Sequence, residues 1–289
     1  MPQPIHSPLR GRRTEVALPA YLANLLPDHQ MRIEPIFHTG SLLFSINDPP
    51  AGEVINDCGG LIGDFWRTMR EEASFGRFLR LCHSTPFCED AYQEALARIH
   101  DSDPVRRAWA FFTTNRQSVL GNSKRFEYLS KQRTRRFMTE QASGFLSVVD
   151  RLPQFHERLK PVTYLSGRNP LDIIRQFDAP ETLFVLTPKV SDKSFGSLHE
   201  FFPSQDKSYG YEVHNLIRNL VGHMLIVLES GQPMEQELKA MSWHKLDFET
   251  RNWTSWARTP PKPARLWANF SLANGFDSKR TSSKSRFML

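Results

Sequence analysis

Residues 178–190 read Asp-Ala-Pro-Glu-Thr-Leu-Phe-Val-Leu-Thr-Pro-Lys-Val, and the fold turns on their middle. Thr182-Leu183-Phe184-Val185-Leu186 is a short unbroken apolar run with a turn before it and a proline soon after. A run of this kind reads as a strand covered on both faces, and such strands belong to parallel sheets flanked by helices. Just upstream, Leu171, Ile174 and Phe177 recur at helical spacing, and Asp178-Ala179-Pro180 ends that helix. Downstream, Val213, Leu216, Ile217, Leu220 and Val221 form a second helical stripe, which reads as core packing. Met224 to Leu228 follows as another buried strand.

The same rhythm opens the chain. Thr14 to Leu26 has apolar residues at helical spacing and stops at Pro27. Met31 to Ile33 is strand-like and ends on Glu34-Pro35, because proline cannot donate to a ladder. After Gly40 come Ser41-Leu42-Leu43-Phe44, a loop at Asn47-Asp48-Pro49-Pro50, and a second strand, Glu53-Val54-Ile55, ending on Asn56-Asp57. Helices alternating with strands predict a parallel sheet built by crossovers.

Between these α/β blocks lies a mainly helical stretch, about Leu61 to Lys160. Leu61, Ile62, Phe65, Trp66 and Met69 line one helix face, Cys88 to Ile99 follows a turn at Ser84-Thr85-Pro86, and Ala108 to Phe112 begins another apolar stretch. The charge is concentrated here. Residues 104–160 carry Arg106, Arg107, Arg116, Lys124, Arg125, Lys131, Arg133, Arg135, Arg136, Arg151, Arg158 and Lys160, against Glu127, Glu140, Asp150 and Glu157. That is a net +8 in a chain whose total is +6, leaving −2 for everything else. A basic island dominated by arginine, the better phosphate fork, points to nucleic acid; a solvated basic face is the alternative.

Composition excludes other classes. Hydrophobic residues at 39% and charged residues at 24% suit a packed globular core. No apolar run approaches the roughly 18 residues of a membrane span, and the polar start does not read as a secretory signal. Cys58, Cys82 and Cys88 lack CxxC spacing, so free thiols in a reducing cytoplasm are expected rather than a zinc site.

Several segments, in order, resemble the Dam-like DNA adenine methyltransferases, which move a methyl group from S-adenosylmethionine to N6 of adenine. Arg32-Ile33-Glu34-Pro35 and Gly40-Ser41-Leu42-Leu43 look like that family's first strand and glycine turn. Glu53-Val54-Ile55-Asn56-Asp57 resembles its second strand. Trp109-Ala110-Phe111-Phe112, followed by Arg116, Ser118 and Gly121, looks like the entry to its DNA-recognition insertion. Asn169-Pro170-Leu171-Asp172-Ile173-Ile174 and residues 178–184 resemble the helix and strand that lead to its catalytic tetrad. Tyr209-Gly210-Tyr211-Glu212 with His214, and Arg265-Leu266-Trp267, match later stretches. The likeness runs along about nine-tenths of the chain and rests on order and spacing. It implies a Rossmann-like methyltransferase sheet from residues 1–64 and 161–276, a helical recognition insertion at 65–160, and a flexible basic tail at 277–289. It further implies double-stranded DNA as partner, with Arg116, Ser118, Lys124, Arg125, Arg133, Arg135 and Arg136 as its contacts.

The resemblance weakens where chemistry is needed. A cofactor turn needs glycines so that backbone can approach the ligand, yet Ile36, Phe37, His38 and Thr39 stand there and only Gly40 remains. At the family's N-terminal Pro-Gly-Gly-Lys, Pro8-Leu9-Arg10-Gly11 keeps the proline alone. The tetrad Asp-Pro-Pro-Tyr is matched by Thr187-Pro188-Lys189-Val190, which lacks the carboxylate that would aim N6 and the ring that would stack on a flipped adenine. Asp48-Pro49-Pro50-Ala51 has the right opening letters but precedes the insertion and reads as a loop. Glu34, Gly40 and Asp57 remain as a remnant cofactor set. Asp57 suits two ribose hydroxyls, but its simpler reading is a helix cap ahead of Leu61. The expected protein is therefore a non-catalytic, cytoplasmic, DNA-binding member of this fold, with S-adenosylmethionine as its only conceivable cofactor and an active methyltransferase as a possible partner. An active enzyme with divergent motifs and a protein-binding scaffold are the alternatives.

Overall fold

The computed structural model describes residues 6–11, 22, 25–57, 59–128, 134, 135, 137–186, 207–229, 234–248 and 264–272. Its centre is a seven-stranded sheet of β1 (Met31–Phe37), β2 (Gly52–Asp57), β5 (Thr163–Ser166), β6 (Thr182–Leu186), β7 (His223–Glu229), β8 (His244–Phe248) and β9 (Ala264–Ala268). The spatial order is β5-β2-β1-β6-β7-β9-β8. The first five strands of that order run parallel, whereas β9 is antiparallel to both of its neighbours. From β1 the chain builds outward to β2 and β5, then returns to the other side of β1 as β6. This is the doubly wound plan, with its switch point between β1 and β6; in open sheets of this kind ligands bind beyond the carboxyl ends of the strands at such a point.

Strand Thr182–Leu186 is buried at all five positions. Phe184 and Leu186 face one core cluster and Leu183 and Val185 another, as the two-residue period of a strand requires. β7 repeats the alternation, with Met224, Ile226 and Leu228 opposed to Leu225 and Val227. The helices α1 (Ser41–Ser45), α8 (Pro170–Phe177), α9 (Lys207–Arg218) and α10 (Met234–Ala240) belong to this α/β body. Asn169 caps α8 by accepting from the Leu171 N–H at 2.9 Å, and Pro170 occupies the first turn, where no donor is missed.

Two expectations need correction. β1 does not stop before Pro35: it passes through a bulge and runs on to Phe37. Glu34 pairs with Ile55 and Phe37 with Asp57, so two residues, Pro35 and Ile36, oppose Asn56 alone. The Asn56 amide donates to the Pro35 carbonyl at 2.9 Å and to the Arg168 carbonyl at 3.0 Å. The extra residue places Ile33 and Ile36, three apart, in the same cluster. Val221, expected on the helical stripe of α9, lies beyond the helix and is exposed. The helix read at Thr14 to Leu26 lies largely outside the described residues.

The insertion leaves β2, forms α2 (Gly60–Arg70), α3 (Glu72–His83), α4 (Glu89–Ala97) and α5 (Pro104–Gln117), then a small hairpin of β3 (Thr134–Arg135) and β4 (Met138–Thr139). Helices α6 (Glu140–Val149) and α7 (Leu152–Leu159) lead back to β5, which lies beside β2. The boundary expected at residue 64 falls inside α2. One apolar cluster runs from Phe37 and Ile55 of the sheet through Phe65, Trp66 and Phe112 to Phe145 and Phe155, so insertion and sheet share a core.

Candidate functional site

The turn after β1 is built around an aromatic stack. The bulge sends Phe37 down into the core, where its ring lies 4.9 Å from that of Trp66, while Phe44 stacks on Trp66 at 5.9 Å. Gly40 adopts φ 69°, a left-handed conformation that favours glycine. A Cβ at Gly40 would lie 2.7 Å from Phe37 Cζ and 2.8 Å from Phe44 Cε2. The remaining glycine of the turn is thus required by the packing of these two rings. The Trp66 indole N–H donates to the His38 carbonyl at 2.8 Å, and the Ser7 hydroxyl donates to the Thr39 carbonyl. The backbone oxygens of the turn therefore bond to the protein itself.

Asp57 closes β2 and is 0% exposed. One carboxylate oxygen accepts from the Gly59 N–H and the other from the hydroxyl of Tyr164 on β5. Its backbone carbonyl accepts from the Gly167 N–H at 3.1 Å. The Gly63 position lies so close that a Cβ there would come within 2.7 Å of Oδ1. The carboxylate organises the entry to α2, though through Gly59, one residue ahead of the helix, rather than by capping the first turn. Burial and the bond to Asp57 push the Tyr164 phenol well above its usual range, so it stays a donor.

Glu34, the other remnant carboxylate, is buried in mid-strand, and burial pushes it up to about 7 against the attraction of Arg32. Near it, Glu53 on β2 binds Arg32 and takes a fork from Arg158 of α7 at 2.6 and 2.8 Å. Arg32, Glu53 and Arg158 thus tie β1, β2 and α7 together.

The basic island divides in two. Arg107 donates to Asp64 at 2.6 Å, Arg158 is held by Glu53, and Lys160 reaches Glu157 at 2.7 Å. Arg116 is buried and donates to the Gly144 carbonyl at 3.3 Å; burial, then the like charges of Arg10 and Arg151, lowers its hold on its proton. Ser118 is buried too, accepting from the Ser123 N–H at 2.9 Å and donating to the Asn115 carbonyl at 3.3 Å. Arg116 and Ser118, expected to touch DNA, are thus buried and bonded within the loop. Lys124 and Arg125 are exposed on it. Arg135 lies on β3, while Arg133, Arg136 and the tetrad positions Thr187 and Pro188 fall outside the described residues.

Sequence reading missed the contact that binds the N-terminus to this loop. The Arg10 N–H donates to Asn115 Oδ1 at 2.7 Å, and Asn115 Nδ2 returns a bond to the Arg10 carbonyl at 3.0 Å. The Arg10 guanidinium pairs with Glu127 and donates to the Ser118 carbonyl. A Cβ at Gly121 (φ 70°) would meet Arg10 Cβ at 2.6 Å, so the glycine permits this approach. Nothing local signals it, because the partners lie more than a hundred residues apart. The hairpin beyond was also missed: its strands have two residues each, too short for an alternating pattern.

Among the described residues no group of three or more His, Cys, Asp or Glu is arranged to hold a metal, and no helix is long and apolar enough to cross a membrane. Comparison with models of known protein families and with curated proteins finds no match to this chain.

Proposed function

We propose that the chain is a double-stranded-DNA-binding relic of a Dam-like adenine methyltransferase, in which methyl transfer has lapsed. The condition of Asp57 carries this reading. A carboxylate that holds a ribose must present an oxygen to the crevice, and Asp57 presents none: it is fully buried, with both oxygens bonded by Gly59 and Tyr164. The doubly wound sheet, with its helical insertion between second and third strands, agrees with such an ancestry. Thr187-Pro188-Lys189-Val190 then lacks both the aiming carboxylate and the stacking ring. Loss of one positioned acceptor typically lowers a rate by roughly 10²–10³-fold.

DNA binding rests on charge. Within the insertion, residues 124–136 are the densest run of positive charge, with Lys124, Arg125, Lys131, Arg133, Arg135 and Arg136 against Glu127. An active methyltransferase is a natural partner, since a protein that occupies the same duplex without modifying it would act as its antagonist.

Two titrations test the proposal. Calorimetry with S-adenosylmethionine should give no saturable heat at millimolar cofactor, and micromolar binding would overturn the non-catalytic reading. Duplex affinity should fall steeply with salt as condensed counterions are released. Absence of duplex binding even at low salt would remove DNA as the partner.

A further inference from the structure

Glu127 is the one acid between Pro104 and Thr139, a stretch that holds nine lysines and arginines. Its position sets it against them. The Val119 N–H donates to the Arg125 carbonyl at 3.1 Å and the Glu127 N–H to the Gln117 carbonyl at 2.8 Å, while Ser118 and Phe126 form an antiparallel bridge. Side chains alternate along such an extended segment. With Phe126 buried on one face, Arg125 and Glu127 share the other, about 7 Å apart along the chain. Arg125 is exposed, so an unoccupied Glu127 carboxylate would compete with any phosphate for its guanidinium.

The acid has a use inside the insertion. Burial, then the like charges of Arg10 and Arg151, work against the charge of buried Arg116, and Glu127 offsets them. Its outward side is closed by Arg10, whose guanidinium pairs with Glu127 and donates to the Ser118 carbonyl at 3.1 Å. Arg10 is delivered there by bonds that do not involve its side chain. Its N–H donates to Asn115 Oδ1 at 2.7 Å, its carbonyl accepts from Asn115 Nδ2 at 3.0 Å, and the preceding Leu9 is buried in the shared core. Ion pairs near the surface contribute little to folding, so stability alone gives little reason for holding the pair so firmly.

We propose that Arg10 silences Glu127, keeping its carboxylate from competing with backbone phosphates for Arg125 and its neighbours, so that the loop meets duplex DNA with one sign of charge. The inference rests on the DNA-binding reading above and adds the residue that sets the charge of that surface. Arg10 acts through Glu127, not by touching the duplex.

The test is duplex titration of the full chain across a salt series. Arg10→Met keeps the backbone bonds of residue 10 and removes only the guanidinium. It should weaken binding roughly 3- to 10-fold at low salt and lower the slope of log affinity against log salt by about 1, the signature of one lost phosphate contact. Glu127→Gln should bind at least as tightly as wild type, and added to Arg10→Met it should return affinity and slope to the wild-type values. Asn115→Ala changes no charge but releases residue 10, so it should weaken binding too, and Glu127→Gln should again restore it. Should Asn115→Ala fail to fold, as its melting curve would show, Gly121→Ala replaces it: the new Cβ would meet Arg10 Cβ at 2.6 Å and displace it. If Arg10→Met binds as wild type does, or Glu127→Gln restores nothing, the silencing is overturned while DNA binding stands. If only the charge-changing variants respond, net charge explains them and the silencing is again overturned. If wild-type protein binds no duplex at any salt, the DNA reading itself fails, and this inference with it.

Discussion

The hydroxyl of Tyr164 on β5 donates to Oδ2 of Asp57 on the neighbouring strand β2, at the carboxyl edge of the sheet. With the bond from the Gly59 N–H to the other oxygen, it makes this buried carboxylate a structural acceptor. Replacing Tyr164 by Phe leaves a buried carboxylate one donor short, at a cost of about 1–3 kcal/mol. Thermal unfolding of Tyr164→Phe should show a clear drop in Tm; an unchanged Tm would mean that the bond contributes nothing to the fold.

Two glycines inside helices should respond oppositely to the same change. At Gly144 in α6 a Cβ meets nothing within 4 Å, so Gly144→Ala should stabilise by roughly 0.5–1 kcal/mol through helix propensity and reduced chain entropy. At Gly63 in α2 the Cβ would press on Asp57 Oδ1 at 2.7 Å. Gly63→Ala should destabilise by about 1–3 kcal/mol, the usual range for overpacking. Denaturant midpoints of the two variants would separate the effects.

Glu34 gives a pH dependence of definite sign. Folded, it holds its proton up to about pH 7, whereas the unfolded chain releases it near 4.5. Between those values the folded state binds more protons, so this group's contribution to stability falls as pH rises through the window. Glu34→Gln lacks that term. Its stability relative to wild type should rise by roughly 1–3 kcal/mol from pH 4.5 to pH 7.5, an order-of-magnitude figure from about 1.4 kcal/mol per pH unit. Urea unfolding at the two pH values measures it, and a constant difference would contradict the assignment.

The two halves of the basic island should behave as different materials. Lys124→Ala and Arg125→Ala, both exposed, should each reduce the slope of log affinity against log salt by about 1, with little change in stability. Arg158→Met should leave the slope untouched. Because it strips Glu53 of its fork, it should destabilise by roughly 3 kcal/mol, the usual cost of breaking a buried pair. Duplex titrations across a salt series, paired with unfolding curves, distinguish the two classes.

Buried strands and the helices between them were legible because their signals are local: a two-residue or 3.6-residue period and the turns that bound it. Leu183 to Leu186 and the helix at Leu171 to Phe177 needed nothing else. Pro35 misled for the same reason. Local chemistry says that proline ends a strand, but a bulge opposite Asn56 on the adjacent strand takes Pro35 out of the regular ladder, where its missing N–H is not needed, and β1 runs on. Charge counting likewise located the basic island but could not tell Arg125 from Arg158, because an arginine's availability depends on whether a distant carboxylate reaches it.

By itself the sequence determined the alternation of strands and helices, the place of the helical insertion and its excess of positive charge, all properties of neighbouring residues. Only the tertiary structure decided that Asp57 faces inward, that Arg116 and Ser118 are interior, that Arg10 clasps the loop at Asn115, and that Phe137 stands unburied at a hairpin tip. Those outcomes depend on which groups far apart in the chain come within hydrogen-bonding or van der Waals reach, and such contacts are set when the sheet and the insertion close around one shared core.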